Sequence, residues 1–141
     1  MINSWLHEQW PLVATIDPID ANNADSSTDE VDMSKFHQVG IWIFLGVLND
    51  SATNTVTVEV SATSGSGFTS LSGKSQAITG TDDAKQFFIG VKAEEMSSYR
   101  YLRVTMANSA HSQLTAIAVF GQPRFKPGTD HDLSTVQTAV L

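Results

Sequence analysis

Cysteine is absent from the 141-residue chain, which excludes a disulfide framework and any cysteine-ligated zinc or iron–sulfur centre. Basic residues are few: 8 Lys and Arg stand against 15 Asp and Glu, for a net charge of −7. They are scattered from Lys35 to Lys126, with no run able to track a phosphate backbone, so nucleic-acid binding is not expected. The acidic balance favours solubility and a mild repulsion between copies. No segment offers the roughly 20 consecutive apolar residues of a membrane-spanning helix. The N-terminus, Met1 to Glu8, has an acid and no positive region, so it does not read as a signal peptide. The expectation is a protein made and folded in the cytoplasm that binds no membrane.

Catalytic patterns are missing as well. His7, His37, His111 and His131 lie far apart, with neither His-x-x-x-His nor HExxH spacing for zinc. Gly-x-Ser-x-Gly, the strand-to-helix elbow of a nucleophilic serine, does not occur. Asp130-His131-Asp132 sits in a polar tail and reads as a solvated run. Asp82-Asp83, or Asp29-Glu30 with Asp32, carry the oxygen ligands that calcium takes, but acid pairs of this kind more often form turns. Gly65 and Gly67 lack the context of a phosphate cradle. No catalytic residue, cofactor or metal is therefore expected, and an enzyme ranks last among the readings.

What the sequence does contain is short alternating segments. Apolar residues make up 41% of the chain and charged residues 16%, enough for one core at this length without metal or disulfide help. From Asp29 to Gly121, runs of β-formers alternate with Gly, Asn, Asp and Ser clusters, the signature of an all-β sandwich or barrel. Strands are predicted near 29–33, 37–48, 54–63, 67–72, 75–79, 85–92, 99–107 and 113–121. In Thr55 to Val60 the alternation is strict and turns Val56, Val58 and Val60 inward. Leu102, Val104 and Met106 repeat the pattern. Asn49-Asp50-Ser51 and Ser64 to Gly67 are turns, and Ala93 to Met96 fits one helical turn.

The ends differ in character. Residues 1–22 hold Trp5, Leu6 and Trp10 among apolar residues interrupted by Pro11 and Pro18. Only 12–16 reads as a strand, and the prolines favour an extended arm over a helix. Residues 122–141 are punctuated by Pro123 and Pro127 and end weakly apolar. The expected organisation is an N-terminal arm (1–22), a sandwich (23–121), and a C-terminal arm or tail (122–141) that is either disordered or packed on a neighbour.

Val39 to Leu48 is the most informative segment. Val39, Ile41, Ile43, Leu45 and Val47 form one apolar face, while Trp42, Phe44 and Leu48 make the opposite face apolar too. A strand with one wet side alternates, so both faces of this one should be covered, by the chain's own arm or by a neighbouring subunit. Aromatic residues anchor protein interfaces, and the expected interface residues are Trp5, Leu6, Trp10, Trp42 and Phe44. Residues 1–11 are expected to dock on a partner, either an adjacent subunit or the larger assembly that the subunit binds. Trp42, Tyr99 and Tyr101 could alternatively form an aromatic sugar platform, although no polar cluster accompanies them.

The run Ala14-Thr15-Ile16-Asp17-Pro18 through Ala21-Asn22-Asn23-Ala24, then Ser27-Thr28-Asp29-Glu30-Val31-Asp32-Met33-Ser34-Lys35-Phe36, resembles small decoration (cement) proteins of tailed-phage capsids. So do the apolar strand with Gly46, the Ala52 to Ala62 strand, Tyr99-Arg100-Tyr101-Leu102-Arg103-Val104 and the closing Ala118 to Phe125. The resemblance spans about residues 12–127. It implies a jelly-roll-like antiparallel β-sandwich on the capsid exterior of a virion, commonly a homotrimer, that bridges copies of the major capsid protein and resists internal DNA pressure. The other readings are a different virion part, such as a head fibre or tail component, and a carbohydrate-binding sandwich module.

Overall fold

The computed structural model describes residues 6–22, 24–109, 111, 113–126, 128 and 132. A short α-turn, α1 (Leu6–Gln9), leads into nine strands: β1 (Leu12–Ala21), β2 (Ser26–Ser27), β3 (Val31–Asp32), β4 (Phe36–Leu48), β5 (Thr53–Ser61), β6 (Thr69–Thr79), β7 (Gln86–Lys92), β8 (Tyr101–Asn108) and β9 (Gln113–Pro123). All pairings are antiparallel. One sheet has four strands in the order β1-β9-β4-β7. The other has five, β2-β8-β5-β6 with β3 also on β8. Because β2 and β3 share β8, they act as one interrupted strand, leaving four strand positions in each sheet. The chain crosses from sheet to sheet between consecutive positions except at the β5–β6 hairpin, which is the winding of a jelly-roll sandwich.

Alternation places the core between the sheets. Val39, Ile41 and Ile43 of β4 with Ile117 and Val119 of β9 face Val56, Val58 and Val60 of β5 and Leu102, Val104 and Met106 of β8. Phe36 enters beneath β9, its ring filling the space where Gly121 has no side chain. The hairpin between β5 and β6 closes on a short loop in which Gly65 and Gly67 take positive φ, a conformation that only glycine adopts without cost.

Several expectations are corrected. The two strands expected at 67–72 and 75–79 are one strand, β6, carried through Gly73 at φ +74°. Segment 29–33 forms only β3 before a 3-10 turn at Met33–Lys35, which the Asp32 carboxylate caps by accepting the Ser34 N–H. β1 runs through Pro18 to Ala21 with a register shift between Ile16 and Ile19. The proline is tolerated because β1 is an edge strand and the shift leaves no ladder bond for it to break.

At the end of β4 the pairing moves from Leu45↔Thr115 to Leu48↔Gln113, a bulge. The extra residue reverses the alternation, so Val47 is exposed and Leu48 buried, opposite to the faces expected for them.

The arms are corrected too. Leu6–Gln9 is helical rather than extended, Pro11 following it as a stop. Residues 12–21 belong to the sheet. The Pro11 carbonyl accepts the Gly121 N–H at 3.0 Å, the Glu8 carbonyl accepts the Gly128 N–H at 2.8 Å, and the Leu12 carbonyl accepts the Asp132 N–H at 2.8 Å. From Glu8 onward the N-terminal segment is therefore tied to its own chain, with Gly121 of β9 and Gly128 and Asp132 of the tail bonded to it. β9 runs on to Pro123, and this places a partner beside those peptide groups. Trp5 lies outside the described residues.

Candidate functional site: an exposed aromatic sheet face

The outward face of the β1-β9-β4-β7 sheet is built by the residues that alternate with the core. On β4 these are Gly40, Trp42 and Phe44. Register puts Phe88 of β7 and Ala118 of β9 on either side of Trp42, and Gln86 and Ala116 on either side of Phe44. Trp42 and Phe44 lie almost parallel, centroids 6.2 Å apart and planes 6° from one another. Phe88 meets Trp42 edge-on at 5.4 Å and 72°, the geometry aromatic quadrupoles favour.

Two glycines shape this face. A Cβ on Gly40 would stand 2.9 Å from the Phe88 ring, so that ring lies flat on the backbone of β4. Leu114 lies over Gly46 in the same way, 2.8 Å from where a Cβ would be. The indole N–H of Trp42 donates to Gln86 Oε1 at 3.0 Å, which leaves the polar end of the ring satisfied and its apolar body outward.

The aromatic rows carry no charged residue. Exposure is 41% for Trp42, 38% for Phe44, 60% for Phe88 and 45% for Leu114. Beside them, Phe44, Leu114, Ala116 and Ala118 with Thr15 and Pro18 of β1 border an open cleft of about 530 Å³. Such a surface supplies apolar area and rigid rings, with the Asp17 carboxylate at the β1 rim of the cleft accepting from the Thr15 hydroxyl at 3.1 Å. Scattered exposed apolar residues are ordinary, whereas a contiguous aromatic patch marks a place where something docks.

Of the residues singled out in the sequence, Trp42 and Phe44 are neighbours on this face. Leu6 is exposed on α1 and Trp10 half-buried before β1. Phe88, Leu114 and the half-buried Phe120 of β9, opposite Gly40, also belong to this face and were not singled out in the sequence. The signal for Phe88 was available: Phe87-Phe88-Ile89 is apolar on consecutive positions, as in β4, so one ring had to point away from the core.

Trp42, Tyr99 and Tyr101 form no platform. Tyr101 belongs to β8 in the other sheet, under the Arg100 guanidinium at 5.2 Å, and Tyr99 precedes it in a turn.

Four of the five acids considered for calcium bond within the chain. Asp82 pairs with Lys85 at 2.8 Å and accepts the Thr79 N–H. Asp83 accepts the Leu48 N–H at 2.7 Å. Glu30 accepts from Ser64 and from the Gly65 N–H. Asp32 takes two bonds from Arg100, at 2.9 and 2.6 Å, which with Ser34 hold its carboxyl far below the usual carboxylate range. Among the described residues no three His, Asp or Glu side chains are grouped to hold a metal. His37 and His111 are exposed at opposite ends of the sheet, and Asp130 and His131 lie outside the described residues.

A jelly-roll sandwich with one aromatic sheet face is thus the class these elements define. No protein-family model matches the chain, and no curated protein matches it. Among solved structures it is similar to a chain in the cryo-EM structure of broad bean stain virus. The identity is 10% and the TM-score 0.46, covering all of this chain and 98% of that one. It is similar to the Bacillus endospore appendage protein of a family of disulfide-linked pili, at 11% identity and TM-score 0.45, covering 87% of this chain and 98% of that one. A carbohydrate-binding module of the CBM4 type matches at 10% identity and TM-score 0.41, covering 79% and 66%. None of these likenesses is strong enough to carry a function over.

Proposed function

We propose that this chain is a structural virion protein. On this reading it decorates the outer surface of a tailed-phage capsid and stabilises contacts between major capsid protein subunits, as a homotrimer and without catalysis. The observation that carries the reading is the uncharged aromatic face of Trp42, Phe44 and Phe88 on an otherwise acidic jelly roll. The sequence resemblance to capsid decoration proteins supports the choice of partner. The aromatic face is the capsid-facing surface, its rings giving area at low conformational cost.

The test is retention on purified capsids after washing, with copies per particle counted by quantitative mass spectrometry. Trp42→Asp and Phe88→Asp are expected to fold with unchanged circular dichroism and to lose retention at least tenfold. A charge buried without a partner costs several kcal/mol, more than the 1.4 kcal/mol of a tenfold change. Retention equal to wild type in both variants would remove the face from the interface.

A second reading, a carbohydrate-binding module, is favoured by the near-parallel Trp42 and Phe44 rings beside the Gln86 amide. Glycan binding that is lost in Trp42→Ala, with no capsid retention by the wild type, would select it.

A further inference from the structure

The cleft of about 530 Å³ on the outer face of the four-stranded sheet lies over β9. Thr15 and Pro18 of β1 wall it on one side and Phe44 of β4 on the other, with Leu114, Ala116 and Ala118 between them. The two alanines are short beside their neighbours and leave a trough. Asp17, at the β1 rim, is the only charged residue among its described lining residues, and Trp42 and Phe88 do not border it.

The tail arrives at this trough. The Gly128 N–H donates to the Glu8 carbonyl and the Asp132 N–H to the Leu12 carbonyl, each at 2.8 Å. Both contacts advance by four residues, so 128–132 runs beside 8–12 in the same direction, toward Thr15 and Pro18. A Cβ on Gly128 would stand 2.9 Å from the Glu8 carbonyl oxygen, so the approach is close. The Asp132 carboxylate reaches on to the Thr15 hydroxyl at 3.3 Å and is itself 9% exposed, so the chain is packed here. Asp132 therefore delivers the chain to the Thr15 rim of the cleft.

We infer that residues 133–141, which lie outside the described residues, fold back into this cleft on their own chain. Leu133 to Leu141 carry no charged side chain and include Leu133, Val136, Val140 and Leu141, which match a cleft with one charged residue at its rim. Nine extended residues reach about 30 Å, whereas β9 from Ala118 to Leu114 covers about 13 Å. Removing Leu114 and Phe44 from water supplies the driving force. The anchor at Asp132 holds the segment at a high effective concentration beside its own cleft, so it outcompetes the tail of another copy. The inference stands apart from the capsid reading, because Trp42 and Phe88 stay uncovered.

A double-mutant cycle in the full chain tests it, with melting temperature as the readout. Ala116→Asp puts a carboxylate on the floor of the cleft, and Leu133→Ser/Val136→Ser/Val140→Ser removes apolar side chains from the tail. In the wild-type background Ala116→Asp is expected to lower the melting temperature by about 4 °C or more, since the carboxylate is forced beneath an apolar segment. In the serine-tail background it faces water and is expected to lower it by less than about 1 °C. Such non-additivity marks residues in contact. Ala116→Gln, polar but uncharged, is the second variant and is expected to show the same non-additivity with a smaller shift. The coupling is expected to stay constant over a roughly hundredfold range of protein concentration, as an intramolecular contact requires. Additive shifts for both substitutions would overturn the inference and leave the cleft to solvent or to another partner. Coupling that grows with protein concentration would overturn it by assigning the cleft to the tail of a neighbouring copy.

Discussion

At Gly121 the packing of the whole lower core converges on one missing side chain. A Cβ there would stand 2.5 Å from the Phe36 ring, and that ring is itself 2% exposed, so it has nowhere to go. Gly121→Ala is expected to cost about 1–3 kcal/mol as overpacking, read as a lower urea midpoint with an unchanged slope. Gly90→Ala is the control, since its Cβ would meet the edge of Phe88 at an ordinary 3.6 Å; its midpoint should stay within about 0.5 kcal/mol of wild type. Equal losses in the two variants would show that the Phe36 ring moves aside. Neither glycine is distinguishable from the other in the sequence, because what surrounds each comes from a different strand.

Strands β4 and β1 illustrate which features an element carries in its own residues. Two-faced apolarity in β4 is visible in the sequence, and the register places Trp42 and Phe44 outward as the alternation requires. The reversal at its end is not visible, since a bulge is a relation between β4 and β9. That reversal makes a sharp prediction: Leu48→Ala should cost about 2–5 kcal/mol, as for a buried leucine, while Val47→Ala should change stability by no more than about 0.5 kcal/mol. Thermal or urea unfolding of the two variants checks it, and the opposite ranking would restore the unbulged register. In β1, Pro18 looked like a strand terminator; its place on a sheet edge, where a missing N–H costs nothing, is decided by the neighbour it lacks.

For the molecule as a whole, stability should depend on acid through carboxylates that bond across elements. Asp32 of β3 is held far below the usual carboxylate range, first by hydrogen bonds from Arg100 and then by those from Ser34. Asp82 is lowered by Lys85 and the Thr79 N–H, and Glu95 by the Lys92 N–H and Lys74. A carboxyl lowered on folding binds its proton more readily unfolded, so its contribution is present above the ordinary carboxylate value and is lost as pH falls through the lowered one. The urea midpoint is therefore expected to be flat from about pH 7 to about pH 5 and to fall below about pH 4. Asp32→Asn should lower the plateau by about 1 kcal/mol, a figure discounted for the solvent around Arg100, and make the acid limb shallower. An acid limb as steep as wild type would assign the dependence to other carboxylates.

The residues by themselves determined the class: all-β from period-2 alternation, a cysteine-free core, and the inward identity of Val56, Val58, Val60, Leu102, Val104 and Met106, because each of these is a property of a strand's own spacing. They also pointed to Trp42 and Phe44. Only the tertiary structure decided that Phe88 and Leu114 join them, that Trp42 and Tyr101 lie on different sheets, and that Glu8 and Pro11 bond to their own chain. Each of those facts depends on which strand stands beside which. Pairing partners in a jelly roll come from distant parts of the chain, β1 with β9 and β4 with both β7 and β9, so the neighbourhoods that build its surfaces exist only once the two sheets have closed.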